Sequence, residues 1–175
     1  MKNIQLLLLT LFLLSVTTAC QPALKEFQPE NDSLFKITFS YPASWVWEED
    51  IPFYDFIGQP PPSEKIILKN GFISIQVYEP ANPQAQMQEW MDAYLGAVTT
   101  MLRSDTTIQI DGYNARWLNV VYPPLTTNEA NVQEVIYLLA EDRFYTIDLS
   151  IPKSETDGRF HKEFKELIKT MKILP

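Results

Sequence analysis

Residues Thr107–Tyr122 read TIQIDGYNARWLNVVY, and the fold follows from the middle of that stretch. Asp111-Gly112 has the chemistry of a type I′ turn, whose two central residues both need positive φ. The runs on either side, Thr107 to Ile110 and Tyr113 to Tyr122, show the period-two pattern of half-buried strands. The stretch is therefore an antiparallel hairpin. Another follows it, with Val132 to Ala140 and Phe144 to Ile151 on either side of Glu141-Asp142-Arg143. In its second arm Tyr145, Ile147, Leu149 and Ile151 share one face against Thr146, Asp148 and Ser150.

Working upstream, the period changes to that of a helix. Asn82 is placed to cap it and Pro83 suits its first turn, while Met87, Trp90, Met91, Tyr94, Leu95, Val98, Met101 and Leu102 recur at helical spacing. Before it, Ile66 to Lys69 and Phe72 to Tyr78 read as strands joined by Asn70-Gly71. Phe35, Ile37, Phe39 and Tyr41 alternate with polar residues until Pro42, and Trp45-Val46-Trp47 opens a further extended piece. Downstream, Phe160, Phe164, Leu167, Ile168 and Met171 form one stripe of a closing helix over about Glu155 to Met171. Strands, helix, four antiparallel strands and helix make an α+β fold, an antiparallel β-sheet with helices packed against it.

The first 20 residues are of another kind. Lys2, an apolar run from Ile4 to Val16 and Thr17-Thr18-Ala19 before Cys20 read as a secretory signal, and a cysteine just past the cut resembles a bacterial lipoprotein signal. The resemblance implies diacylglycerol on Cys20, although Thr17 stands where that family usually has an aliphatic residue. The alternative is a secreted protein with a free N-terminal thiol. The apolar run is shorter than the roughly 20 residues that cross a bilayer, so the expected anchor is lipid on a cell or outer membrane, with the domain facing periplasm or exterior. Residues 1–19 are then signal, 20–33 lipidated cysteine and flexible tether (QPALKEFQPENDS after Cys20), and 34–175 one domain. Without Lys2 the mature chain has 13 Lys+Arg against 22 Asp+Glu. That balance argues against a nucleic-acid partner, which needs a basic stripe. A single cysteine leaves no internal disulfide, so packing must supply the stability.

Tyr41-Pro42-Ala43-Ser44-Trp45 after a short strand, then a long helix, then a hairpin at Asp111-Gly112-Tyr113-Asn114-Ala115, a strand pair and a terminal helix resemble the PsbP-like family. That family includes the PsbP subunit of the photosystem II oxygen-evolving complex and bacterial lipoproteins of the DcrB type. The resemblance implies an α/β/α sandwich over Leu34 to Pro175 and a role in binding or stabilising other proteins. It brings no catalytic residues with it.

The residue inventory points the same way. His161 is the only histidine, one position past Phe160 among Arg159, Lys162 and Glu163, where helical phase suggests exposure. Zinc of the Cys/His kind is excluded by count. No phosphate-cradling glycine loop is present. The carboxylates at Glu48-Glu49-Asp50, Asp55 and Glu141-Asp142 lack the regular offsets of a calcium loop and read as solvated. No catalytic residue, metal or cofactor is expected.

The stretch with the look of a binding element is Trp47 to Pro62, WEEDIPFYDFIGQPPP. A loop of this length within a compact domain is more often functional or disordered than not. Trp47, Phe53, Tyr54, Phe56 and Ile57 offer aromatic and aliphatic surface of the kind that dominates interfaces. The same side chains could instead fold back as a lid on the core. Tyr122 to Asn131 is a weaker candidate, whereas Trp45, Trp90 and Trp117 sit at periodic positions and read as core. The expectation is a non-enzymatic, membrane-anchored protein that binds or helps assemble an envelope protein. A module taking a small molecule or lipid between sheet and helix is the alternative.

Overall fold

The computed structural model describes residues 23–28, 35–49, 63–68, 71–124 and 129–175, without the side chains of 46–49, 63–68 and 71–72. At its centre is the hairpin of β8 (Asn131–Ala140) and β9 (Arg143–Pro152). Outward on one side β7 (Tyr113–Tyr122) and β6 (Leu102–Ile110) follow, and on the other β5 (Gly71–Tyr78), β4 (Ser63–Leu68) and β3 (Val46–Glu49). All neighbours in this seven-stranded sheet are antiparallel. A three-stranded sheet is ordered β1 (Leu24–Phe27), β2 (Ile37–Pro42), β10 (Lys172–Ile173). Helix α1 (Pro83–Val98) and helix α2 (Arg159–Thr170) complete the described fold.

Alternation divides the large sheet into two working faces. On the inner face Ile73, Ile75, Ile136, Leu138, Tyr145, Ile147 and Leu149 are buried beneath α2 and the small sheet, with Phe164, Leu167, Ile168 and Met171 from the helix end and Ile37 and Phe39 from β2. On the outer face Leu118, Val135 and Tyr137 pack with Met91 of α1. The arrangement is the expected helix, sheet and helix layering, since each sheet face buries its apolar set against a different element.

The turns explain the register. Asp111 and Gly112 have φ of 49° and 88°, and Ile110 pairs with Tyr113, as a type I′ hairpin requires. Asn82 caps α1 by accepting the Ala85 N–H at 3.1 Å, with Pro83 in the first turn. Several boundaries differ from the sequence reading. Helix α1 ends at Val98, and Leu102, placed by spacing on its stripe, instead opens β6, which therefore begins before Thr107. The β4–β5 pairing closes at Leu68 with Gly71, one residue earlier than an Asn70-Gly71 tip would give. Ala140 pairs with Arg143, so the β8–β9 turn is Glu141-Asp142 alone, with Glu141 at φ 55°. The last helix starts at Arg159, after a 3-10 turn over Lys153–Glu155.

The tether is also corrected in part. Leu24–Phe27 is a strand paired with Phe39–Pro42, and Phe27 stacks on Phe39 at 4.7 Å and 14°. Four residues with no alternation, LKEF, carry no strand signal of their own. The ladder and one buried aromatic hold them.

Candidate functional site

The aromatic segment can be placed only at its start. Trp47 lies in β3 opposite Ile66, in the row that continues through Ile73 and Leu149, so it belongs to a strand and not to a loop. Phe53, Tyr54, Phe56 and Ile57 lie outside the described residues, as does Cys20. Trp45 is buried, stacking on Phe160 at 5.3 Å and donating Nε1–H to Glu163 Oε2 at 3.1 Å. Trp90 and Trp117 are half-buried, meeting Phe144 and Phe164 edge-on at 5.6 and 6.0 Å.

His161 overturns its expected exposure. It is buried, and its Nε2 lies 2.9 Å from Oε1 of Glu134, a β8 carboxylate on the inner face that is itself 3% exposed. The phase explains it: His161 precedes Ile168 by seven residues, about 20° apart on a helix, so it points at the sheet with Ile168, and Phe160 is the flank. Asn119 Nδ2 donates to Glu134 Oε1 at 2.9 Å and Trp117 Nε1 donates to Oε2 at 3.1 Å. His161 Nδ1 faces the Thr156 carbonyl. A carbonyl and a carboxylate only accept, so the geometry suits an imidazolium donating from both nitrogens. The Glu134 hydrogen bond accordingly holds the His161 pKa above its usual value, against the opposing effect of burial. With both ring nitrogens committed, the pair ties α2 to β7 and β8 and has no nitrogen left to act as a base.

The outer face carries a second polar chain. Tyr94 of α1 donates to Gln133 at 3.2 Å and lies 3.3 Å from the Tyr122 hydroxyl, and Gln133 Nε2 donates to Asp148 Oδ1 at 3.2 Å. Asp148 keeps some residue exposure, yet its carboxyl sits in dense surroundings, and burial pushes its pKa up to about 7. Beside this chain the contact between α1 and the sheet is occupied by Met91, Leu118, Val135 and Tyr137.

A cavity of about 550 Å³ opens at the far rim of the inner layer, between the β8–β9 turn and the C-terminal segment. Ala140, Glu141, Asp142, Arg143, Tyr145, Lys36, Ile173, Leu174 and Pro175 line it. Its polar groups are largely committed. Arg143 is 4% exposed and bonds Glu79 Oε1 at 2.6 Å and Asp142 Oδ1 at 2.9 Å. The Tyr145 hydroxyl donates to the Phe35 carbonyl at 2.9 Å, and Glu141 accepts from the Tyr113 hydroxyl. Lys36 sits at φ 34°, a conformation a side chain rarely takes, held by the Leu174 N–H on its carbonyl at 2.7 Å. Sequence reasoning has no signal for this site, because Lys36, the β8–β9 turn with the strand ends beside it, and residues 173–175 supply it together.

Among the described residues no group of three His, Cys, Asp or Glu side chains is placed to hold a metal ion, and no helix is long and apolar enough to cross a membrane. No protein-family model matches the chain. No curated protein matches it either. Solved structures do. The solution structure of cyanobacterial PsbP (CyanoP) from Synechocystis sp. aligns with a TM-score of 0.56 at 14% identity, over 89% of this chain and 95% of that one. A crystal structure of a protein from Bacteroides thetaiotaomicron aligns with a TM-score of 0.57 at 15% identity, over 86% of this chain and 48% of that one. The chain thus spans about half the length of the Bacteroides protein. At such identities the likeness is one of fold, and the fold is PsbP-like.

Proposed function

We propose that the chain is an exported lipoprotein, held on a membrane by diacylglycerol on Cys20, whose PsbP-like domain binds an envelope protein and performs no chemistry of its own. The observation that carries the binding reading is the commitment of the reactive side chains. His161 spends both ring nitrogens on Thr156 and Glu134, and the Tyr145 hydroxyl and Arg143 guanidinium in the cavity wall are engaged with Phe35, Glu79 and Asp142. Such walls offer shape and charge to a partner. Phe53, Tyr54, Phe56 and Ile57, with Trp47 at their root, supply the docking surface. Acyl chains contribute about 0.8 kcal/mol per buried methylene, enough for two or three chains to keep the domain on its membrane without any inserted helix.

Crosslinking in intact cells followed by detergent co-purification of the acylated protein tests both halves. One envelope protein should be enriched with wild type. Cys20→Ser should leave the precursor uncleaved or release the protein from the membrane. A Cys20→Ser protein that is processed normally and stays membrane-bound would end the lipoprotein reading.

A second reading is favoured by the cavity, whose volume of about 550 Å³ falls in the range of small-molecule sites. Its place is the rim at Lys36 and Leu174, not the contact between α1 and the sheet, which side chains fill. Native mass spectrometry of the protein extracted from its own membrane would reveal a retained small molecule, and a bare mass would argue for the protein-binding reading.

A further inference from the structure

The outermost strand of a sheet presents N–H and C=O groups with no ladder partner, and folds usually shorten or cover such edges. This fold does so at several places. Strands β1 and β3 are four residues long. At β10 the Ile173 N–H is taken by Asp111 Oδ2 at 2.9 Å, and the chain beyond it contains Pro175, which has no N–H. Strand β6 is different: nine residues long, it is last in the order of the seven-stranded sheet, and Arg103 to Thr107 are exposed without interruption. Because consecutive residues point to opposite faces, neither helix layer covers Arg103 to Thr107, while Leu102, Ile108 and Ile110 pack against the cores. Its second half, Thr106 to Ile110, is TTIQI, uncharged and rich in β-branched residues.

We propose that β6 is a homodimerisation edge, where a second copy of this chain pairs antiparallel across a twofold axis at Thr107 and joins two seven-stranded sheets into one. The backbone sets which residues can pair. In a two-residue hairpin closed by Ile110 and Tyr113, residues 110, 108, 106 and 104 turn their polar groups toward β7, leaving those of Asp105, Thr107 and Gln109 outward. Overlap and charge then select the register, since an axis at Ser104 would set Arg103 against Asp105 but overlap only Leu102 to Thr106 of the strand. An axis at Thr107 sets Asp105, whose carboxylate already accepts from Arg116 Nε of its own chain at 2.8 Å, against the neutral Gln109 of the second copy, an acceptor facing an amide donor. It also brings Arg103, in the β-bulge between Leu102 and Ser104 and with no ion-pair partner among the described residues, toward the Asp111 turn of the other copy. An axis at Asp105 would oppose that carboxylate to itself, and one at Ile108 would set it against Asp111. An axis at Thr106 leaves Arg103 opposite Gln109, without an acid. The strand's pattern is thus self-complementary, which favours a second copy over a foreign strand. This inference stands apart from the binding reading above and uses none of the same residues.

The test is the mass of the full-length protein in detergent, measured by sedimentation with the micelle contribution subtracted. Wild type should sediment as two chains. Thr107→Lys places a charge on an exposed edge position, the device by which natural edges repel pairing, and should give one chain with a melting temperature within about 2 °C of wild type. Thr107→Pro, which removes an outward N–H and no ladder bond to β7, should also be monomeric. A wild type that remains a single chain up to about 100 µM, where a Kd of about 10 µM would be plain, overturns the proposal. So does a folded Thr107→Lys protein that still sediments as a dimer.

Discussion

His161 and Asp148 lie on opposite faces of one sheet, and both make stability fall as pH rises. The folded pKa of His161 is raised, chiefly by the Glu134 hydrogen bond, so its contribution is complete below the unfolded value near 6.5 and is lost as pH climbs through the folded value. Asp148 is raised by burial from 3.8 to about 7, so the folded state binds its proton more tightly and loses that advantage between those two values. Denaturant unfolding at pH 6 and pH 9 should therefore show a more stable protein at pH 6. Two variants divide the effect. Glu134→Gln leaves His161 without its carboxylate and should cost about 3 kcal/mol or more at pH 6, as breaking a buried pair does; NMR should then report a lower His161 pKa. Asp148→Asn removes a carboxyl that burial disfavours when charged, and should stabilise the protein at pH 8; a loss there would mean the Asp148 carboxylate is needed charged. The pairing of His161 with Glu134 is not legible in the sequence. Glu134 alternates correctly with Val132 and Ile136 on the inner face, but one-dimensional pattern cannot say that a buried glutamate has a histidine waiting across the layer. His161 could have been found by extending the apolar stripe to 161, 164 and 168 instead of anchoring it on Phe160.

Hairpins were read best, because a two-residue turn writes its geometry into adjacent residues. Asp111-Gly112 is recognisable from residue type alone and has the positive φ values that its type demands. Nothing lies within 4 Å of a Cβ added at Gly112, so the cost of Gly112→Val should be chiefly backbone strain, about 1–3 kcal/mol. An unchanged melting temperature for Gly112→Val would mean that this turn tolerates a β-branched residue and is not type I′. The turn also has a tertiary role. Asp111 accepts from Lys172 Nζ and from the Ile173 N–H, both at 2.9 Å, and these bonds hold its carboxyl below the usual carboxylate range. The β6–β7 turn thereby fastens the end of β10. What sequence could not supply was any element defined by its partner. Strand β1 lacks alternation and exists through its ladder to β2, and β10 is only two residues long, so neither carries a readable pattern.

At the scale of the whole molecule, the α+β layering was legible because apolar alternation changes to helical spacing and back at each boundary, and the solved PsbP-like fold agrees with it. The cavity was not, since its walls come from Lys36, the β8–β9 turn and residues 173–175, which only the finished fold brings together. The role of the aromatic segment after β3 turns on whether it spends its side chains on the domain or on a partner. Trp47 starts the segment in the row of Ile73 and Leu149, so the chain leaves the sheet from a position continuous with the inner core. If Phe53, Tyr54 and Phe56 are the docking surface, replacing all three with serine should abolish co-purification of the envelope partner. Stability should then move by less than about 1 kcal/mol, because exposed side chains contribute little to the core. If they form a lid, the same change should cost several kcal/mol, since large-to-small losses at buried aromatics run at about 3–5 kcal/mol each. A thermal melt beside the co-purification separates the two. A large drop in melting temperature assigns the segment to the core, whereas an unchanged melt with unchanged partner capture moves the docking surface elsewhere, with the cavity at Lys36 and Leu174 next to be tested.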